Sequence, residues 1–441
     1  MSSEKALSRT TRLVNQEIFD GRASEPAITR GLLATTVRLV ADETNMSSIA
    51  GQAALISAFQ LIARMGIGIE LRVPDLPLVA NVPPLKSGTL RAALVELGGD
   101  LVPGLTVRTS LAHADETFVF GDSAYEGSDA IYVSASDTAC SLQRGQQVRT
   151  RIDADFAFGG LAAAAVAAAI ALNAALPAIE RESGVARSER RRPSPGPPVS
   201  IDLAALFPTL TEPVRLTEGL KLDGVSAGAI INAFIAVSLW VLQTPTVIRV
   251  IDDDLAELSN VNRCPQICAS DKRPKVDVLR DSSTTRLQIS GEQSRFTADT
   301  AAHLSPLAEH IVVGVDDIPA RWLVQQAAPD ALYIGATTNH EAILTTHHPG
   351  EPCAGCAYPH PATEEEFVPT ISFVSFWAGL LQACALLTEL VQRQTARRIT
   401  VFPFALGEPT WFLAHPLYHG AECAISCNVS GKHTDAKAEA A

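Results

Sequence analysis

The chain has 441 residues, of which 47% are hydrophobic and 19% are charged, and its formal net charge is −13. This length allows two domains with hydrophobic cores, and the composition excludes an intrinsically disordered chain. The acidic balance argues against a nucleic-acid partner, which would require a basic surface.

The N-terminal sequence MSSEKALSRTTR lacks the apolar core of a signal peptide, so we expect a cytoplasmic protein. Three apolar runs, at residues 161–176, 227–242 and 371–391, are predicted to be buried helices of a large α/β core rather than membrane spans. Eight cysteines without a secretion signal favour a reducing compartment, where thiols bind metal rather than form disulfides.

The first part of the chain predicts an α/β unit. Residues 1–30 are polar and predicted helical, and a strand, a helix and a second strand follow at residues 37–42, 49–65 and 69–73, ending at Pro74 and Asp75. Further strands are expected at residues 106–110, 117–120 and 130–134. An alanine-rich helix is expected at residues 158–178, with a glycine pair that indicates close helix packing.

Residues 183–200, with the sequence SGVARSERRRPSPGPPVS, predict a domain boundary. Arginine, serine, proline and glycine occur there without apolar periodicity, which is typical of a solvated linker. We therefore expect a first domain at residues 1–182 and a second at residues 201–441.

The second domain begins with strand-like segments and continues to a β-branched strand at residues 246–251, which runs into Asp252, Asp253 and Asp254. Nucleotide-binding α/β sheets place an acid at the carboxyl end of a parallel strand, where its oxygens accept the ribose hydroxyls. Taken alone, this stretch also fits a strand that ends in a solvated acidic turn.

The residues that follow distinguish these alternatives. Ser259, Asn260 and Arg263 come at fixed offsets in DDDLAELSNVNR, and Lys275 lies twelve residues beyond Arg263. This order, followed by VDDIPAR at residues 315–321, resembles the ThiF/MoeB/ubiquitin-activating superfamily of adenylating enzymes. Their pattern is D-x-D-x-x-x-x-S-N-x-x-R, then a lysine, then T-D-x-x-x-x-R. The resemblance covers about residues 214–430.

The resemblance implies a Rossmann-like ThiF/MoeB adenylation domain. The order of strand, turn, helix, strand and acid at residues 37–75 is also that of residues 219–252, so the first half is interpreted as a degenerate, inactive, related α/β half. The protein would then be a pseudo-dimer within one chain, or a homodimer. An arginine from a neighbouring subunit reaches the phosphates in bacterial relatives. The candidates for that role in this chain are Arg9, Arg12 and Arg22.

The resemblance also implies ATP and Mg²⁺ as ligands. Asp252 is expected to bind the ribose, and Asp254 belongs to the same nucleotide-binding motif. The phosphates would be surrounded by Asn260, Arg263 and Lys275, because cations neutralise the charge that builds up on leaving pyrophosphate. Asp316 matches the magnesium-binding acid, with Asp317 as the alternative.

The glycine loop departs from the family pattern. The segment interpreted as the phosphate loop, residues 228–233, keeps Gly228 as a nucleotide-binding residue but has bulky Ile230 and Ile231 where the family has G-x-G-G-x-G. This keeps a second hypothesis open, a catalytically weak scaffold that binds a partner. It counts against a third, a Rossmann-type oxidoreductase, which depends on that fingerprint more heavily.

Two cysteine pairs predict structural zinc. Cys353 and Cys356 in PCAGC, with Cys423 and Cys427 in ECAISC, supply four thiolates for a tetrahedral ion. His360 and His419 are possible substitutes for one ligand, and the alternative is four unrelated buried thiols. The segment in which some relatives carry a thioester-forming cysteine has none, and three further cysteines are expected to be buried: Cys264, Cys268 and Cys384.

Together these patterns predict an adenylyltransferase that activates a carboxylate as an acyl-adenylate and releases pyrophosphate. The carboxylate could be the C-terminus of a ubiquitin-like carrier, the end of a peptide, or a small-molecule acid.

Overall fold

In a computed structural model, the described residues are 2–86, 88–110, 113–125, 127–145, 150–188, 198–210, 216, 218–327, 329–361, 369–406, 408, 410–420 and 422–427. The strands of the first half are β1 (Thr36–Val40), β2 (Gly68–Arg72), β3 (Val107–Arg108), β4 (Glu116–Phe120), β5 (Ile131–Ala135), β6 (Ala139–Arg144) and β7 (Val199–Asp202). Its helices are α1 (Ser3–Ile18), α2 (Glu25–Ala34), α3 (Glu43–Met46), α4 (Ile49–Arg64), α5 (Leu90–Gly99) and α6 (Phe158–Ser183).

The strands of the second half are β8 (Leu220–Val225), β9 (Thr246–Ile251), β10 (Leu287–Glu292), β11 (His310–Val313), β12 (Ala331–Thr338), β13 (Glu341–His347), β14 (Arg397–Val401) and β15 (Phe412–Pro416). Its helices are α7 (Ala229–Val241), α8 (Lys275–Arg280), α9 (Ala298–Leu304), α10 (Ile318–Gln326), α11 (Ala354–Ala357) and α12 (Ser372–Val391). Two 3₁₀ turns lie at Leu203–Ala205 and Leu258–Asn260.

The two halves have the same sheet topology. In the described part of the chain, one sheet has the strand order β3-β2-β1-β4-β5-β6-β7 and the other β10-β9-β8-β11-β12-β13-β14-β15. In each sheet the first five strands run parallel and the remaining ones antiparallel. Corresponding strands occupy corresponding positions, and β15 extends the second sheet. The prediction of two related α/β halves is therefore confirmed.

A glycine brings two helices together in the same way in each half. In the first half α6 packs on α4, and a Cβ added to Gly160 would lie 2.4 Å from the Ala50 carbonyl oxygen. In the second half α12 packs on α7, and a Cβ added to Gly379 would lie 2.4 Å from the Phe234 nitrogen. Neither position tolerates a larger residue without separating the helices. The expected role of the first glycine pair in helix packing is confirmed.

The halves pack against each other through these same helices. α12 contacts both α6 and α4, and one buried hydrophobic core runs through both halves. The Ser372 hydroxyl donates to the Leu61 carbonyl oxygen at 2.8 Å across this contact. The first half is thus a packing partner of the second, as a second subunit would be.

Two of the three apolar runs form helices that are long and apolar enough to cross a membrane. These are α6 and α12, and 83% of the most apolar window of each is buried inside the protein. The third run contains α7, whose side chains are mostly buried. All three helices contribute to the core, as expected from their position in the sequence.

Several element bounds differ from prediction. The strand predicted at residues 37–42 ends at Val40, because Asp42 caps α3 by accepting a hydrogen bond from the Asn45 nitrogen at 2.9 Å. The strand predicted at residues 106–110 is reduced to the two residues of β3.

The last strand of the first sheet overlaps the end of the predicted linker. Strand β7 pairs with β6, so residues 199–202 belong to the first sheet although residues 183–200 were assigned to the linker and residues 201–441 to the second domain. Residues 189–197 of that linker lie outside the described residues. The remaining domain boundaries stay predictions.

Candidate nucleotide site and metal site

The turn between β8 and α7 forms one wall of the candidate nucleotide site. Ser226, in this turn, has a φ of 94°, a conformation that non-glycine residues rarely adopt. Its hydroxyl accepts a hydrogen bond from the Gly228 nitrogen at 2.9 Å, and Gly228 is the N-cap of α7. A strained backbone at the carboxyl end of a central parallel strand is typical of a ligand-binding turn.

Of residues 228–233, which were assigned to the phosphate loop, Gly228 is the N-cap of α7 and the residues from Ala229 onward are helical. Ile230 and Ile231 are buried in the first turn of α7 and fill space left by two glycines, one directly after β11 and one in β12. A Cβ added to Gly335 would lie 2.6 Å from Ile230 Cγ2, and one added to Gly314 would lie 3.0 Å from Ile231 Cγ1. The bulky side chains therefore point into the core and leave the turn itself unobstructed.

Asp252 connects the end of β9 to this turn. One of its carboxylate oxygens accepts a hydrogen bond from the Ala227 nitrogen at 2.6 Å, and the other accepts from the Asp254 nitrogen at 2.9 Å. Both bonds use backbone donors, so the carboxylate is held in one orientation beside the turn. Each oxygen retains a lone pair that can accept a hydroxyl hydrogen of a ribose.

The motif residues Asn260 and Arg263 lie in a tightly bonded loop that follows Asp254. The Asn260 side-chain oxygen accepts from the Glu257 nitrogen at 2.8 Å and closes the 3₁₀ turn. The Arg263 guanidinium donates to the Ser259 carbonyl oxygen and, at 3.0 Å, to the side chain of Asn262. Both residues therefore bond to their own loop.

Lys275 lies at the start of α8 and is paired with the acidic turn. Its Nζ lies 2.5 Å from Asp254 Oδ2, and its backbone nitrogen donates to the Asp254 carbonyl oxygen at 3.0 Å. The structure thus brings together the turn after β8, the acids after β9 and the lysine.

The N-terminal helix α1 covers this loop. Thr10 accepts a hydrogen bond from the Asn262 side chain at 3.3 Å, and α1 packs on the turn Leu258–Asn260. Burial, together with the charge of Arg263, lowers the pKa of Arg9 to about 10, while the charge of Asp316 opposes this shift. Arg9 therefore remains a cation at neutral pH and lies within the electrostatic field of both residues.

The other two candidate arginines point elsewhere. Arg12 lies 3.7 Å from Glu25, and Arg22 donates to the carbonyl oxygens of Phe19 and Ala186 at 3.1 and 3.0 Å. The electrostatic neighbours of Arg9, by comparison, include the motif residues Arg263 and Asp316.

Asp316 and Asp317 lie side by side after β11 but have different environments. Both are exposed, and Asp317 caps α10 by accepting from the Ala320 nitrogen at 2.8 Å. Arg321, which ends the VDDIPAR motif, is buried and donates twice to the Val315 carbonyl oxygen, at 3.0 and 2.9 Å. Arg321 thereby holds the segment that carries Asp316, a role signalled in the sequence by its place in the motif.

The four predicted metal ligands meet at one point. The Sγ atoms of Cys353, Cys356, Cys423 and Cys427 all lie within 4.8 Å of one another. A tetrahedral zinc ion with Zn–S bonds of about 2.3 Å separates its sulfurs by about 3.8 Å. Cys353 and Cys356 lie at that spacing, with 3.8 Å between their sulfurs, and three other pairs are somewhat closer: 3.4 Å for Cys353–Cys423, 3.3 Å for Cys356–Cys427 and 3.5 Å for Cys423–Cys427.

The two histidines considered as substitutes are placed differently. The Nδ1 atom of His419 lies 3.7 Å from Cys427 Sγ, at the edge of the cluster. The Nε2 atom of His360 lies 3.6 Å from an oxygen of Glu422. The four thiols fit a zinc ion without either histidine.

Cys264, Cys268 and Cys384, which were expected to be buried, are buried. Burial raises the pKa of Cys264, raises that of Cys268 to about 11 and raises that of Cys384 well above its usual value. These thiols stay protonated at neutral pH, and a protonated, buried thiol is a poor nucleophile.

The corresponding position in the first half is filled by protein. There the short helix α3 follows β1, and the buried side chain of Asn45 donates to Asp42 at 2.9 Å and to Asp122 at 2.8 Å. Its oxygen accepts from the Ile152 nitrogen at 2.9 Å. Asp75, the acid that follows β2, lies 3.5 Å from Arg91. These contacts use the polar groups that would otherwise face a nucleotide.

In comparisons with known proteins, a different family matches each half of the chain. The ThiF family matches residues 237–416, and the BilD N-terminal domain matches residues 36–192. No curated protein sequence matches the chain.

Solved structures similar to this one include E. coli MccB crystallised with ATP, at 18% identity and a TM-score of 0.39 over 47% of this chain and 67% of that one. MccB crystallised with SeMet MccA matches at 17% identity and a TM-score of 0.39, and the match spans 47% of this chain and 66% of that one. The structure of SeMet PaaA matches at 11% identity and a TM-score of 0.36, over 45% of this chain and 73% of that one.

The motif that begins at Asp252 and the zinc-type cysteine pair at Cys353 and Cys356 both fall inside the matched segment. Residues 237–416 match the ThiF family, so the resemblance that the motif indicated is confirmed for this part of the chain.

Proposed function

We propose that the protein is an ATP-dependent adenylyltransferase that activates a carboxylate. The observation that supports this most directly is the proximity of Asp252, Lys275 and Arg263 at the carboxyl ends of β8 and β9, where the charges of all three act on the buried thiol of Cys264. The carboxyl ends of parallel strands are where open α/β sheets bind nucleotides.

In the proposed reaction, a carboxylate oxygen of the substrate attacks the α-phosphorus of ATP. The bond between that phosphorus and the oxygen bridging to the β-phosphate breaks, and magnesium pyrophosphate leaves. The product is a mixed anhydride of the carboxylate and AMP. No proton transfer is required of the protein, so its task is to position the reactants and to stabilise developing negative charge.

Each motif residue has a role in this proposal. Asp252 accepts the ribose hydroxyls, and Asn260, Arg263 and Lys275 bind the phosphates. Asp316 would hold Mg²⁺, which neutralises the leaving pyrophosphate, because an exposed carboxylate with phosphate oxygens suits this ion.

Arg9 is the cation that the first half contributes. It comes from the helix that covers the motif loop, and its charge is partly desolvated there. Desolvation strengthens its interaction with phosphate oxygens. The first half thus takes the place of a second subunit, and the site in the second half is proposed to be the single nucleotide site of the chain.

The substrate is a terminal or small-molecule carboxylate. A ubiquitin-like carrier, a peptide and a small acid all present this group, and they differ in how much surface surrounds it. The four-cysteine cluster is proposed to hold one structural zinc ion, which links the segment after β13 to the C-terminal segment.

The test is exchange of labelled pyrophosphate into ATP, with carboxylates of the three classes offered separately. Exchange that depends on one class and is lost in Arg263→Ala supports the proposal. Titration calorimetry with a non-hydrolysable ATP analogue should find one site per chain, lost in the same variant. Tight binding of the analogue without exchange for any acid would favour the scaffold hypothesis instead.

A further inference from the structure

The last residue of α4, Arg64, is an arginine of the first half that is completely buried against the second half. Its Nη1 donates to the carbonyl oxygens of Val261 at 2.7 Å and Ile267 at 2.8 Å, and its Nη2 donates to that of Pro265. Three backbone carbonyls of one loop thus surround a single guanidinium.

These contacts bracket a motif residue. Val261 and Pro265 lie two residues before and two residues after Arg263, so the backbone is held on both sides of the arginine proposed to bind phosphate. On the inner side of the same loop, the Arg263 and Cys264 nitrogens both donate to the Asn260 carbonyl oxygen, at 3.1 and 2.9 Å. Neighbouring hydrogen bonds therefore fix the loop from within and from the other half.

We propose that Arg64 is a positioning residue through which the inactive half fixes the loop that carries Arg263. This inference rests on the proposed function only for the role of Arg263. The charge of Arg64 is stabilised by the three carbonyl dipoles and by its place at the C-terminal end of α4, where a cation is favourable. Removing the guanidinium would leave three buried carbonyl oxygens without this hydrogen-bond donor, which would raise the free energy of the loop in its present conformation.

A second contact from the first half holds the following residues. The Ala269 nitrogen donates to the Asp100 carbonyl oxygen at 2.8 Å, and the Ser270 hydroxyl donates to the Asp100 side chain at 2.7 Å. Together with the bond from Asn262 to Thr10, these contacts attach the loop to the first half at three points, and Arg64 is the one that holds the backbone on both sides of Arg263.

The experiment compares Arg64→Lys and Arg64→Met with Arg397→Lys as a matched control. Arg397, in β14, is half-buried and also donates to a backbone carbonyl, that of Leu206 at 2.9 Å. Hydrogen exchange at the amides of residues 261–267 and calorimetric affinity for a non-hydrolysable ATP analogue are measured well below each unfolding temperature.

We expect the Arg64→Met protein to exchange these amides faster and to bind the analogue about tenfold more weakly. Arg64→Lys should be intermediate, because lysine keeps the positive charge but has fewer hydrogen-bond donors. Arg397→Lys should lose stability and keep wild-type affinity. If Arg64→Met does not fold, Arg64→Lys alone decides the comparison with the control.

Wild-type loop exchange and affinity in the Arg64 variants would overturn the inference. So would an equal loss of affinity in Arg397→Lys, since the effect would then be one of general stability. A wild-type protein that binds the analogue but exchanges no pyrophosphate would contradict the proposed function and leave this comparison valid.

Discussion

Lys275 Nζ lies 2.5 Å from Asp254 Oδ2, so the cation proposed to meet the phosphates of ATP is held by a carboxylate of the neighbouring turn. The lysine side chain is 9% exposed and the aspartate 65%, so the pair lies at the mouth of the site with the lysine on the inner side. A nucleotide phosphate that binds Lys275 competes with Asp254, or shares the lysine with it.

The first prediction concerns this lysine. Lys275→Met should lower the rate of pyrophosphate exchange by about 10²–10³-fold, because a cation that stabilises leaving pyrophosphate is lost. Lys272→Met removes an exposed lysine of the same segment and should leave the rate unchanged. Equal activity in the two variants would show that Lys275 serves only to pair with Asp254.

The second prediction separates the two adjacent acids. Asp316→Asn should abolish Mg²⁺-dependent exchange, because an amide does not replace a carboxylate as a magnesium ligand. Asp317→Asn should retain activity and stability, since asparagine is as good a helix N-cap as aspartate. The measurement is exchange rate against Mg²⁺ concentration, and the opposite pattern would transfer the magnesium role to Asp317.

The third prediction concerns the strained turn. Ser226→Gly should strengthen binding of an ATP analogue, because glycine adopts a φ of 94° without strain and frees the Gly228 nitrogen from the serine hydroxyl. We expect a dissociation constant lower by a few-fold, measured by calorimetry. Ser226→Ala frees the same nitrogen but keeps a side chain at this φ, so it should bind less tightly than Ser226→Gly. Weaker binding in Ser226→Gly would mean that the hydroxyl itself contacts the nucleotide.

The fourth prediction is one zinc ion per chain. Cys353→Ser should release the ion and lower the unfolding temperature, because structural zinc contributes directly to folding. Elemental analysis of freshly purified protein measures the metal content. Cys140→Ser changes a buried cysteine of the first half and should keep the zinc. Wild-type protein without zinc would contradict the assignment.

The fifth prediction tests the cation contributed by α1. Arg9→Ala should reduce pyrophosphate exchange by at least about tenfold, as expected for a cation that stabilises charge at a phosphoryl centre. Arg22→Ala, a change on the side of the first half that faces Ala186, should have no effect. If the two variants behave alike, the electrostatic coupling of Arg9 to Arg263 serves the folded structure rather than the reaction.

The sequence predicted the second half better than the first, and the reason is physical. The second half carries a long pattern of residues that are close together in sequence, and such a pattern can be recognised from a single sequence. It consists of the acids after β9 with Asn260, Arg263 and Lys275. Strand β7 was not predicted from the sequence, because it follows a proline-rich stretch and pairs with β6, whose residues lie about sixty positions earlier in the chain.

Other features left no sequence signal at all. The partners of Arg64 are backbone carbonyls, which every residue has, and they lie about 200 positions further along the chain. The sequence showed that Ile230 and Ile231 are bulky but not where their side chains lie. Their environment is set by Gly314 after β11 and Gly335 in β12, which are distant in sequence.

The packing of α12 on α6 and α4 joins the two halves within one polypeptide. A site completed by a second copy is lost on dilution, because the copies separate at low concentration. Here the covalent connection keeps Arg9 and Arg64 next to the motif loop at any concentration. Activity per molecule should therefore not depend on protein concentration. A defective copy of the protein should also not inactivate a normal one, since each chain supplies both halves of its own site.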